Sequence, residues 1–147
     1  MAQERFKMIS FVSLILRRGS EVLLIRRFNT GSDDGMYGCA GGGIDANEPA
    51  TQALIREASE ELGIKLKKEH LNVVHIVHRK NPMGIETIGF FIEACEWEGI
   101  PCNMEPHKCD DLQWFEINNL PDNCQLALRH VVAMLDQNKF FSEMGWE

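Results

Sequence analysis

Between Gly42 and Ile64 the chain reads GGIDANEPATQALIREASEELGI, a glycine-rich approach followed by a run suited only to a helix. Pro49 suits the first turn, Asn47 and Glu48 offer capping oxygens just before it, and Gly63 is placed to stop the helix. On a wheel of about 100° per residue, Leu54, Ile55, Ala58 and Leu62 fall on one arc, while Ala50, Ala53, Glu57, Glu60 and Glu61 fall on the adjacent one. Such a helix has to bury its apolar arc against another layer. The run Gly41-Gly42-Gly43 ahead of it reads as a strand-to-loop junction bare of side chains, open to close approach by a ligand, with a flexible loop as the plainer alternative.

That other layer is a sheet. Phe6 to Leu16 and Glu21 to Ile25 read as two strands joined by a turn at Arg17-Arg18-Gly19-Ser20, with Gly19 supplying the positive φ. Asn29 to Gly35 is a polar loop, and Tyr37 to Ala40 a short extended piece leading to the glycines. Leu71 to Arg79 and Ile85 to Trp97 read as strands around the turn Asn81-Pro82-Met83-Gly84, and Glu98 to Asp111 as a loop. Leu112 to Ile117 is a last strand, and Pro121-Asp122 opens a C-terminal helix that buries Leu128, Val131, Val132 and Leu135. Strands before, between and after two helices give one mixed α/β sandwich domain over residues 1–147.

Composition narrows the function classes. A net charge of -7 argues against stable nucleic-acid binding, which needs clustered Lys and Arg, and a polyanionic substrate would need a divalent cation to reach an acidic site. No apolar run approaches a membrane span, and no secretory signal is apparent. Five cysteines without a C-x-x-C pair fit a reducing cytoplasm better than a disulfide framework or zinc site.

Glu57, Glu60 and Glu61 stand at i, i+3 and i+4, so their carboxylates converge on one patch and repel one another. Hard oxygen donors so close suit Mg²⁺, with Mn²⁺ as an alternative. The plain alternative is a solvated acidic face, against which stands Arg56, placed to neutralise or orient these acids.

The order Gly42, five residues, Glu48, seven residues, then Arg56-Glu57-Ala58-Ser59-Glu60-Glu61-Leu62-Gly63-Ile64 resembles the signature box of the Nudix hydrolases. Ala58 stands where that pattern usually has a larger aliphatic residue, and Cys39-Ala40-Gly41 replaces the usual proline-containing approach. Similarity extends to Glu105-Pro106-His107-Lys108-Cys109-Asp110-Asp111-Leu112, to Trp114-Phe115 and Leu120-Pro121, and to the final Phe141–Trp146 stretch.

The resemblance implies an α/β/α sandwich with a mixed central sheet and Mg²⁺-dependent hydrolysis of a pyrophosphate bond in nucleoside triphosphates or other nucleoside diphosphate-X compounds. It implies metal ligation by Glu57, Glu60, Glu61 and the carbonyl of Gly42, with Arg56 orienting the acids and either Glu57 or Glu105 as general base. A homodimer is expected by family analogy only. The rival readings are a nucleotide-sensing module without catalysis, whose usual mark is erosion of the acidic triad, and trimming of RNA 5′ ends.

Outside the box, Arg26 and Arg27 are candidates for phosphate contact, one of the two pointing opposite to the other. Tyr37, Phe28 and Phe91 are candidates to stack a base, with core packing as the plainer alternative. His75 and His78, three apart on a strand, face opposite ways and read as structural or substrate-adjacent; Cys109 reads as a small buried side chain.

Overall fold

The computed structural model describes residues 3–147. Strand β1 (Ile9–Arg18) turns at Gly19-Ser20 into the antiparallel β2 (Glu21–Arg27), so the first strand starts later and runs two residues further than its sequence suggests. Gly19 takes φ +61°, as the turn requires. Two short strands follow, β3 (Tyr37–Gly38) on β2 and β4 (Gly41–Gly43) on β1. The glycine run, expected at a strand-to-loop junction, is therefore strand along its whole length. Its backbone is pinned by the register Val12↔Gly42, and a Cβ on Gly41 would strike the Val12 carbonyl.

Helix α1 (Ala50–Leu62) begins after Pro49, whose carbonyl accepts from the Ala53 N–H at 3.0 Å, and ends on Gly63, whose left-handed backbone donates to the Ser59 carbonyl. No side chain caps its N-terminus, so the capping role expected of Asn47 and Glu48 is corrected. Glu48 is instead engaged by the Asp45 N–H and by Arg56.

Strands β5 (Leu71–Lys80) and β6 (Glu86–Ala94) form the second hairpin, and β7 (Cys109–Glu116) lies antiparallel on β2. Helix α2 (Leu126–Asp136) starts five residues after Pro121 rather than at it, since residues 121–125 form a turn and a short bridge. The last strand, β8 (Phe141–Met144), has no counterpart in the sequence reading. It runs parallel to β5 at the sheet edge, over Ile76↔Phe141 to Arg79↔Met144.

The sheet runs β3-β2-β1-β6-β5-β8, with β4 joined to β1 and β7 to β2. β1 and β6 pair in parallel and the hairpins antiparallel, giving the mixed sheet expected. Strand β1 is buried on both faces, which explains its near-continuous apolar run. Val12, Leu14 and Leu16 pack with Leu54, Ala58 and Leu62 of α1; on the other face Ile15 and Phe91 pack with Leu128 and Val131 of α2. Ala53 is also buried with the α1 core, although the helical wheel places it on the acidic arc.

The two layers of helix hold the sheet between them, and the outcome is the α/β/α sandwich. Among the described residues no helix is long and apolar enough to cross a membrane. Buried His75 is tied through Nδ1 to the Lys139 carbonyl at 2.9 Å and through Nε2 to Ser142 Oγ at 2.7 Å, which fastens β8 to β5.

Candidate active site

Helix α1 presents its carboxylates beside β4 because the glycines let the two backbones come together. A Cβ on Gly42 would lie 2.5 Å from Glu57 Oε1, so any larger residue there would drive Glu57 out of place. On the same approach the Gly41 N–H donates to Glu61 Oε1 at 2.9 Å.

Arg56 organises the acids around it. Its Nε and Nη2 grip both oxygens of Glu48, at 2.8 and 3.0 Å, while Nη1 meets Glu57 Oε1 at 3.0 Å and Glu60 Oε2 at 3.5 Å. Nη2 also donates to the Gly43 carbonyl at 3.2 Å, locking the helix to the glycine strand. The paired guanidinium, helped by the Asp45 N–H, holds Glu48 down at about 2, so Glu48 stays charged. Glu48 and then Glu57 raise Arg56 above its ordinary value in return, against the opposing effect of burial.

Glu57, Glu61 and Glu105 share one cavity of about 420 Å³, with Gly41, Arg27 and Lys108 on its other walls. Burial pushes Glu61 up to about 8, and the nearby Glu57 and Glu105 add to this against the opposing Gly41 N–H. The Glu105 carboxylate has no ion-pair partner among the described residues. The α1 side of the cavity is rich in carboxylate oxygen, with Arg56 offsetting Glu57 but not Glu61, and a hard divalent cation fits that donor set. Among the described residues no three acids, cysteines or histidines are already drawn to one coordinating point.

Several expected site residues fall elsewhere. Glu60 does not line the cavity; its side chain is 53% exposed at the rim beside Arg56, so the triad splits into two inward acids and one outward. Of the two arginines, Arg27 faces the cavity, held by the Ser32 carbonyl at 2.6 Å and Thr30 Oγ1 at 3.1 Å. Arg26 points away, into an ion pair with Asp110 at 2.7 Å, and its expected phosphate role is corrected.

Tyr37 is corrected as well. It is 5% exposed, its ring packs edge-on to Phe115 at 4.9 Å and its hydroxyl donates to Asp111, so it stacks within the core and not on a ligand. Phe91 is core too, whereas Phe28 is exposed outside the cavity. Lys108, like Asn29 and Thr30, lines the cavity without having been singled out by the sequence. Its signal was its place three residues after Glu105 in the downstream stretch.

Residues 7–135 match the NUDIX domain family. The NAD-capped RNA hydrolase NudC of Pseudomonas entomophila (strain L48) is 32% identical over 111 residues, which cover 74% of this chain and 36% of that protein. The CTP pyrophosphohydrolase of Escherichia coli (strain K12) is 41% identical over 59 residues, covering 40% of this chain and 44% of that one. The chain thus spans about a third to under half the length of these curated relatives. The crystal structure of a MutT NUDIX hydrolase from Burkholderia pseudomallei superposes with a TM-score of 0.80 at 27% identity, covering 87% of this chain and 98% of that one.

Proposed function

Because the chain belongs to the NUDIX family, we propose that it is a divalent-metal-dependent pyrophosphohydrolase acting on nucleoside triphosphates or other nucleoside diphosphate-X compounds. The observation that carries the reading is the cavity itself, where Glu57, Glu61 and Glu105 face Arg27 and Lys108. One wall suits metal ions and the other suits phosphate oxygens.

Glu57, Glu60, Glu61 and the carbonyl of Gly42 are the proposed ligands of Mg²⁺ or Mn²⁺, a cation that when bound neutralises pyrophosphate charge and lowers the pKa of a water nucleophile. Arg56 holds Glu57 and Glu60 in orientation and fixes the helix against β4. Gly41 positions Glu61 through its N–H. Glu105, whose carboxylate is free of ion pairs among the described residues, takes the proton of the attacking water; Glu57 is the less suited of the two because Arg56 holds it. Arg27, pre-oriented by Ser32 and Thr30, binds substrate phosphate.

A second reading, hydrolysis at a capped RNA 5′ end, is favoured by the similarity to the NAD-capped RNA hydrolase. A sensor without catalysis is disfavoured by the full set of Glu57, Glu60 and Glu61. The five free cysteines are in keeping with a reducing cytoplasm as the working compartment. The test is product release from a panel of nucleoside triphosphates, sugar nucleotides and NAD-capped RNA with Mg²⁺, for wild type and Glu60→Gln. Turnover of at least one nucleotide, falling by orders of magnitude in the folded variant, is expected. A variant as active as wild type would remove Glu60 from the metal set.

A further inference from the structure

The acids of the cavity are accounted for by the reading above, but its positive wall is not. Arg27 makes no direct ion pair among the described residues: it donates to the Ser32 carbonyl and to Thr30 Oγ1, which fixes its orientation, while Asp34 acts on it from beyond ion-pair distance. Lys108 lines the same wall, and among the described residues no carboxylate lies within ion-pair distance of its ammonium.

An exposed lysine commonly sits on a mobile stem, yet the root of this one is held. The Lys108 carbonyl accepts from the Phe28 N–H at 2.9 Å, its own N–H donates to the Glu105 carbonyl at 2.9 Å, and Cys109 beside it is in register with Arg27. Two cations without a direct ion pair among the described residues therefore stand at neighbouring positions, at the end of β2 and just ahead of β7. They face acids in a protein whose net charge is -7.

We propose that Lys108 is a substrate-binding residue that pairs with the outer phosphate of the substrate, the part that leaves as pyrophosphate or a phosphorylated group, while Arg27 grips the phosphate nearer the acids. This rests on the pyrophosphohydrolase reading. The difference in side chain supports the division of labour. Arg27 is a planar fork held from behind, suited to one defined phosphate, and Lys108 is a point charge on a flexible stem, suited to a group whose position varies at the cavity mouth. The ammonium is at the exposed rim, so its contribution lies in binding the substrate rather than in the bond-breaking step.

The experiment measures kcat and KM for a Mg²⁺-loaded nucleoside triphosphate, and inhibition by inorganic pyrophosphate, in wild type, Lys108→Gln, Lys108→Arg and Lys67→Gln. Lys67 pairs with Glu98 away from the cavity and controls for the change in net charge. Lys108→Gln is expected to raise KM and the inhibition constant of pyrophosphate roughly tenfold, with kcat within about threefold of wild type. Lys108→Arg recovers part of the loss and Lys67→Gln shows none.

Unchanged KM and inhibition constant would overturn the proposal, as would a fall in kcat alone, which would mark Lys108 as a support for Glu105. If wild type turns over no nucleotide, the functional reading fails by itself. Calorimetric titration of inorganic pyrophosphate into the Mg²⁺-loaded proteins then decides: weaker binding to Lys108→Gln supports the proposal, and equal or absent binding overturns it.

Discussion

Glu61→Gln separates what the active site costs the fold from what it contributes to chemistry. Glutamine keeps the shape of the side chain and an oxygen to accept the Gly41 N–H, now at 2.9 Å from Glu61 Oε1, but carries no charge. In the folded chain burial first, then Glu57 and Glu105, push Glu61 up to about 8; unfolded, it returns to an ordinary 4.5. Between those values the native state holds a proton that the unfolded state has released.

Stability from this group is therefore fully present below 4.5 and is lost as pH rises toward 8. One proton of difference corresponds to a slope of at most about 1.4 kcal/mol per pH unit. Urea denaturation in the presence of a chelator, from about pH 5 to about pH 8, measures it. Wild type is expected to lose stability across that window relative to Glu61→Gln, so the variant is the more stable of the two near neutrality. Excess Mg²⁺ should flatten the wild-type slope, because a cation takes the place of the proton, and should do less for the variant. Parallel pH curves for the two proteins, with and without metal, would refute the reasoning.

Other substitutions probe the supports of the site. Gly42→Ala places a methyl 2.5 Å from Glu57 Oε1, and displacement of that carboxylate is expected to cut turnover on the order of a hundredfold, checked by steady-state kinetics. Arg56→Lys cannot hold both oxygens of Glu48 while meeting Glu57; activity is expected to fall at least about tenfold with far-ultraviolet circular dichroism unchanged. Ser142→Ala leaves the Nε2 atoms of His75 and His130 without their shared partner, 2.7 and 2.8 Å away, and is expected to cost about 1–3 kcal/mol in denaturant midpoints without altering kcat.

Much of this structure is written locally. The helix from Ala50 to Leu62 follows from Pro49, Gly63 and the apolar spacing of Leu54, Ala58 and Leu62, and the hairpin at Gly19 from one glycine between two apolar runs. What could not be read depends on partners distant in sequence. β8 is four residues with Phe141 and Glu143 exposed, and it becomes a strand only because β5 offers an edge and His75 binds Ser142. The glycine run is a strand only because β1 pairs with it.

The site divides the same way. The spacing of Glu57, Glu60 and Glu61 places them on one helix face, but which two enter the cavity depends on Arg56 and on the nearness of β4. The choice of Arg27 over Arg26 rests on a register shift opposite Cys109 and on the loop that cradles Arg27, neither of which local periodicity encodes. Tyr37 reads locally as a candidate to stack a base or as core; Asp111 and Phe115 of β7, far along the chain, decide for the core.

The central claim is that this cavity hydrolyses a pyrophosphate bond with water attacking phosphorus under a divalent cation. The direct measurement is nucleotide hydrolysis in water enriched in heavy oxygen, with products analysed by mass spectrometry. The account predicts Mg²⁺-dependent product carrying the heavy oxygen on a phosphate, abolished by chelator. A folded, Mg²⁺-saturated protein that yields no product from nucleoside triphosphates, sugar nucleotides or capped RNA, or product without label on phosphate, would contradict it.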